Sequence, residues 1–180
     1  MDNSTENVTL IAAFVNDVLN IYKGKRRFEE KLSDMTKDLD LTEPMNMVPM
    51  KVYNDMIDWI EQDIGEINTK KVGRQIGETA YQSMLQMNLV KADCTPMEMM
   101  SALKQVAEMV IADPKGRGWE IIDSGDQHIV MRRTQTFNST LQFGLLDELM
   151  KKTSGRGTKV SYEASVKMGA EFDDYRVVWV

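Results

Sequence analysis

The chain is 180 residues long, 42% hydrophobic and 28% charged, which is the size and make-up of one soluble domain with its own core. Its 22 Lys and Arg against 28 Asp and Glu give a formal charge of -6, so it lacks the basic face that nucleic acid or an anionic membrane surface demands. One cysteine, Cys94, and one histidine, His128, exclude an intrachain disulfide, a cysteine-rich zinc site and any metal site built on two imidazoles.

No apolar run nears the roughly 20 residues of a membrane span. The first six residues, Met1 to Glu6, carry neither the basic nor the apolar region of a secretion signal, so the expected location is cytoplasmic. The sequons that begin at Asn3, Asn7 and Asn138 are then chance matches. Residues 1–7 are expected to form a disordered tail and 8–180 a single domain.

Over 8–22 the apolar residues Leu10, Ile11, Phe14, Val15, Val18, Leu19 and Tyr22 recur at three- and four-residue steps, which predicts a helix stopped at Gly24. A weaker amphipathic helix follows over 27–39, with Phe28, Leu32 and Met35 on one face. Pro44 and Pro49 bracket 45–48, which reads as an extended loop. A third helix is expected over 50–64, ended by Gly65, and a fourth over 69–87, where Val72, Ile76, Ala80 and Met84 form a four-residue ladder. Gly73, Gly77 and Ala80 leave one side of it nearly bare. An interior Gly costs about 1 kcal/mol of helix propensity, so two on one face point to a backbone or a ligand lying close. Thr95-Pro96-Met97-Glu98 then opens a fifth helix with a cap, a proline at the first helical position and the capping-box Glu.

Beyond Gly118 the period changes to two. Strands are expected over 119–123 and 127–136, a helix capped by Asn138 as far as Lys152, a strand alternating from Val160 to Met168, and a closing strand over 175–180. The whole is α+β, with about five N-terminal helices packed on a roughly four-stranded antiparallel sheet of strand-strand-helix-strand-strand order.

Trp59, Tyr81, Met84, Met99, Met100 and Phe143 can line an apolar pocket between helices and sheet, or serve as core. The 15 methionines suit either role. Arg74, Arg132 and Arg133 can meet an anion, or sit as surface charge. Neighbouring strand residues face opposite ways, so at most one of Arg132 and Arg133 points inward. Gly73-x-x-x-Gly77 lacks the Lys-Ser/Thr of a phosphate loop and fits close helix packing or dimerisation. Cys94, His128 and the acidic run Asp34, Asp38, Asp40 and Glu43 read as ordinary surface or core features. No nucleophile–base pair is visible, which argues against an enzyme.

Several helices followed by strand-strand-helix-strand-strand resembles the superfamily of heme nitric-oxide-binding domains, 4-vinyl-reductase-type domains and Golgi-transport tethering-complex subunits. The residues that carry the resemblance are Phe143-Gly144-Leu145-Leu146-Asp147-Glu148-Leu149 before the strand from Val160, the Gly169 turn and the terminal strand. The Pro49-led helix and Gly73-Arg74-Gln75-Ile76-Gly77 add to it. The resemblance implies a cytoplasmic, non-enzymatic sensor or binding domain. It would hold a small apolar or amphipathic ligand at Trp59, Arg74, Tyr81, Met84, Met100 and Phe143. The alternative it implies is a homodimeric or partner-binding scaffold through Gly73 and Gly77 or through an exposed sheet edge. The heme-binding members hold iron through a helical histidine and grip the propionates with Tyr-x-Ser-x-Arg. Here the helix before the first hairpin has no histidine and that signature is absent, so heme is not expected and the cofactor stays unknown. Ser165, Asp173 and Asp174 stand where 4-vinyl-reductase-type domains carry cysteines, which leaves no metal site to expect.

Overall fold

The structure, a computed structural model, describes residues 2 and 4–180. Met1 and Asn3, part of the expected tail, lie outside the described residues. Strand β1 (Thr9–Ile11) runs directly into helix α1 (Ala12–Tyr22), and Gly24, at φ +78°, turns the chain into α2 (Arg26–Thr36). The start of the first expected helix is therefore a strand. Its β-branched residues find long-range partners: β2 (Met47–Pro49) on one side and β3 (Ile111–Ala112) on the other, both antiparallel. The expected loop before Pro49 supplies β2, so a small three-stranded sheet closes the base of the helical layer.

The helices expected over 50–64 and 69–87 join into one long rod, α3 (Met50–Gln86), broken only at Gly65. There φ +77° and ψ 169° leave the helical region, a conformation open to glycine at little cost. Helix α4 (Pro96–Val110) begins with the full capping box. Thr95 Oγ1 accepts from Glu98 N at 3.2 Å, and Glu98 Oε2 accepts from Thr95 N at 2.7 Å.

Four strands make the larger sheet: β4 (Trp119–Gly125), β5 (His128–Arg133), β6 (Lys159–Ala164) and β7 (Asp173–Val178), in the order β4-β5-β7-β6, all antiparallel. Helix α5 (Ser139–Lys151), capped by Asn138 Oδ1 accepting from Leu141 N at 2.9 Å, lies between β5 and β6 in sequence. Among the described residues the architecture is α+β with five α-helices. The strand expected as far as Met168 ends at Ala164. After a register shift at Tyr162/Ala164 the chain forms a 3-10 turn, Val166–Met168, and Met168 is 87% exposed.

Helix α5 packs on α3 at backbone distance. A Cβ added to Gly73 would stand 2.1 Å from the Leu141 carbonyl oxygen. One on Gly144 would stand 2.2 Å from that of Lys70, and one on Gly77 2.9 Å from that of Leu145. The bare face of α3 is thus covered by α5 of the same chain. Ile129 and Met131, with no exposed surface, carry the helix-facing side of β5 into the shared core.

Candidate functional site: a chamber between the helices and the sheet

The layers do not close completely where α1, α3 and α4 meet β4 and β5. An outer cavity of about 80 Å³ and an adjoining inner one of about 40 Å³ share the walls Phe14, Ile76, Ala80, Val106 and Val110. Helical spacing sets these walls: Ile76 and Ala80 lie one turn apart on α3, and Val106 and Val110 one turn apart on α4. The space exists because Ala13, Ala80 and Ala107 stand at lining positions where a larger side chain would fill it. Asp17, Thr79, Ser83 and the half-exposed Met87 line the outer chamber. Burial raises the Asp17 carboxyl above its ordinary range, partly offset by a hydrogen bond with Thr79.

Trp119, Phe137, Tyr53, Leu141, Leu145 and Arg133 line the inner chamber. Of the paired arginines, Arg132 takes the far face and binds Asp174 through two bonds of 2.8 Å. Arg133 takes the near face and is 3% exposed. Its guanidinium lies over the Trp119 ring at 4.8 Å and the Phe137 ring at 4.5 Å. Its Nη2 donates to Gln135 Oε1 at 2.7 Å, while Nε and Nη1 have no hydrogen-bond partner. Burial lowers the guanidinium to about 9, against smaller opposing effects of Tyr175 and Asp113.

The surrounding carboxylates are already engaged. Asp173 is the cross-strand neighbour of Arg133, yet it accepts from Ser139 Oγ at 2.6 Å and Val166 N at 3.0 Å. Asp113 accepts from Gln135 Nε2 at 3.0 Å and Arg117 Nε at 2.8 Å. Arg117 in turn bonds the carbonyls of Asp2 and Ser4. A polar chain therefore runs from the chamber wall through Gln135, Asp113 and Arg117 to the N-terminal segment.

Of the residues proposed from sequence, Arg133 lines the inner chamber, whereas Trp59, Arg74, Tyr81, Met84, Met99, Met100 and Phe143 line neither. Trp59 is half-buried, edge-on to Phe28 at 5.4 Å. Arg74 pairs at the surface with Asp147 at 2.7 Å. Tyr81, Met84 and Met100 are buried core, and Phe143 sits between the Lys70 ammonium at 4.1 Å and the Tyr162 ring at 5.2 Å. Sequence reasoning passed over Phe14, Val106 and Val110; alanines on inward helix positions were the available signal. His128 stands at the hairpin turn, 3.1 Å from Asp123 Oδ2. Among the described residues no group of three His, Cys, Asp or Glu could hold a metal ion, and no helix is long and apolar enough to cross a membrane.

The arrangement of layers decides the comparison with known structures. The fold is that of H-NOX domains. An H-NOX protein from S. oneidensis, solved in the Fe(II)NO ligation state, superposes with a TM-score of 0.73 at 10% identity, covering 95% of this chain and 99% of that one. A structure from a study of heme distortion in the H-NOX family gives 0.66 at 14% identity, over 93% and 92% of the two chains. The unliganded Fe(II) H-NOX protein from K. algicida gives 0.62 at 9%, over 95% and 97%. No family model and no curated protein matches the sequence.

Heme itself does not fit these residues. The lining of the two chambers contains no histidine or cysteine, and the phenol of Tyr53 is pushed far up by burial and by Asp17, which disfavours the phenolate an iron would take.

Proposed function

We propose that the protein is a non-enzymatic, sensor-type domain that binds a small non-heme molecule in the chamber between α1, α3 and α4 and the sheet. The observation that carries this reading is the apolar cavity itself, walled by both layers and kept open by alanines. Close packing is the rule in protein interiors, and dry apolar cavities take up small guests such as xenon. The likeness to an H-NOX protein solved in the Fe(II)NO ligation state supports a ligand-binding reading.

Methyl-resolved NMR under xenon pressure tests the reading. Saturable shifts at Ile76, Val106 and Val110 are expected, with remote core methyls such as Leu32 unmoved. Unchanged spectra would mean that the chamber admits no guest, and the reading would fall. Incubation with hemin followed by gel filtration is expected to leave no heme on the protein.

A further inference from the structure

We infer, resting on the ligand-binding reading above, that the inner chamber is a site for a small monocarboxylate, its carboxylate paired with the Arg133 guanidinium and its short chain lying against Ile76, Val106 and Val110. Arg133 is the carrying residue. It is 97% removed from solvent by its 3% exposure, lines an apolar cavity, and has two nitrogens, Nε and Nη1, without a partner. Buried arginines are ordinarily paired, since an uncompensated charge in an apolar site is among the costlier things a fold can hold. The two aromatic faces at 4.8 and 4.5 Å hold the guanidinium plane in place and relieve part of that cost, but they accept no hydrogen bond in the plane.

The protein had internal countercharges available and directs them elsewhere. Asp173, opposite on β7, is bound by Ser139 and Val166, and Asp113 is bound by Arg117 and Gln135. Lowered to about 9, the guanidinium is still cationic at neutral pH. Nε and Nη1 are thus the donors that an acceptor entering the chamber would meet.

Charge and size narrow its class. A single unpaired guanidinium neutralises one negative charge. A dianion such as phosphate would carry a second, uncompensated charge into an apolar space. Cavities of about 40 and 80 Å³ admit a few heavy atoms, so the fitting ligand is a short aliphatic carboxylate. Planar delocalised Arg is also the cation best shaped for a carboxylate.

The test uses the full chain with butyrate as probe, and butyramide and inorganic phosphate as controls, read by calorimetry and by NMR of the Arg133 Nε–H and the Val106 and Val110 methyls. Butyrate is expected to shift all three signals and to bind at least about tenfold more tightly than butyramide, as befits a charge-assisted bond. Arg133→Met is expected to weaken butyrate by about 30-fold or more. If Arg133→Met does not fold, Ala80→Leu keeps the charge and fills the chamber. Butyrate binding is expected to vanish in it, and full retention would overturn the site. Equal binding of butyrate and butyramide would sink the carboxylate assignment while the ligand-binding reading stands. Tighter binding of phosphate would likewise overturn the monoanion argument. No response to butyrate alongside a normal xenon response would refute this inference alone; no response to either would remove both.

Discussion

The close backbone approach between α3 and α5 allows a sharp prediction for Gly73→Ala. The added methyl would sit 2.1 Å from the Leu141 carbonyl oxygen and 3.0 Å from the Gly144 Cα, whereas contact becomes ordinary only at 3.4 Å. The shortfall is about 1.3 Å, and both neighbours are backbone, so no side-chain rotation relieves it. The helices must part, and a gap of 0.5–1 Å already forfeits about a quarter to a half of each dispersion contact along the seam. Overpacking of this kind costs about 1–3 kcal/mol and sometimes more, while the better helix propensity of Ala returns about 1 kcal/mol. A severe clash against main chain places Gly73→Ala at the upper end, so we expect a net loss of about 2 kcal/mol or more. That is a large share of a stability of about 5–15 kcal/mol.

Urea unfolding followed by circular dichroism measures the loss. Gly118→Ala is the control, since nothing lies within 4 Å of its added Cβ, and it is expected to stay within about 0.5 kcal/mol of the parent. Gly144→Ala meets the Lys70 carbonyl at 2.2 Å across the same seam. Once the helices have parted for one methyl they admit the second more easily, so the double variant should lose less than the two single losses together. A Gly73→Ala protein as stable as the parent, or a strictly additive double variant, would refute the argument.

Three further expectations follow from polar and capping geometry. Burial alone would raise the Asp113 carboxyl, but hydrogen bonds from the Lys115 amide, Arg117 and Gln135 prevail and hold it below the ordinary 3.8. Its contribution is therefore complete above that value and lost as pH falls through the lower folded value. Asp113→Asn should cost about 1–3 kcal/mol at pH 7 with a gap that narrows below pH 3.8, and a gap equal at pH 7 and pH 3 in urea titrations would contradict this. Thr95→Ala removes the capping box of α4 and should lower stability by about 1 kcal/mol, with Thr95→Ser restoring most of it; an unchanged melting profile would count against the cap. Burial, then Glu98 and Asp93, push the Cys94 thiol up, so an aromatic disulfide reagent at pH 8 should modify it at least about tenfold more slowly than in the urea-unfolded chain. Equal rates would show that the thiol is open to solvent.

Short-range signals carried much of the architecture. The Thr95-Pro96-Met97-Glu98 start, the Asn138 cap and the stop at Gly24 all act within about one helical turn, and each stands where local chemistry places it. The change of period from 3.6 to 2 after Gly118 marked the passage from helices to sheet, because alternation reflects one buried face. The bare face of α3 was legible as a demand for close approach; the identity of the neighbour, α5, was not. Nor was the start of the first helix. Thr9–Ile11 obeys a helical period but pairs with residues 36 or more positions away, and such pairing outweighs local propensity.

The site divides in the same way. Alternation along β5 determined that Arg132 and Arg133 face opposite sides, since that follows from strand geometry alone. Which of the two goes inside, and whether it finds a partner there, depended on where β7 and α5 carry Asp174, Asp173 and Ser139. Aromatic and methionine content identified material for a pocket, yet Met84 and Met100 fill space while small residues, Ala80 among them, leave it open. Composition and period count apolar side chains one helix at a time, whereas a cavity is the difference between facing surfaces. That difference arises only when α1, α3, α4 and the sheet are brought together.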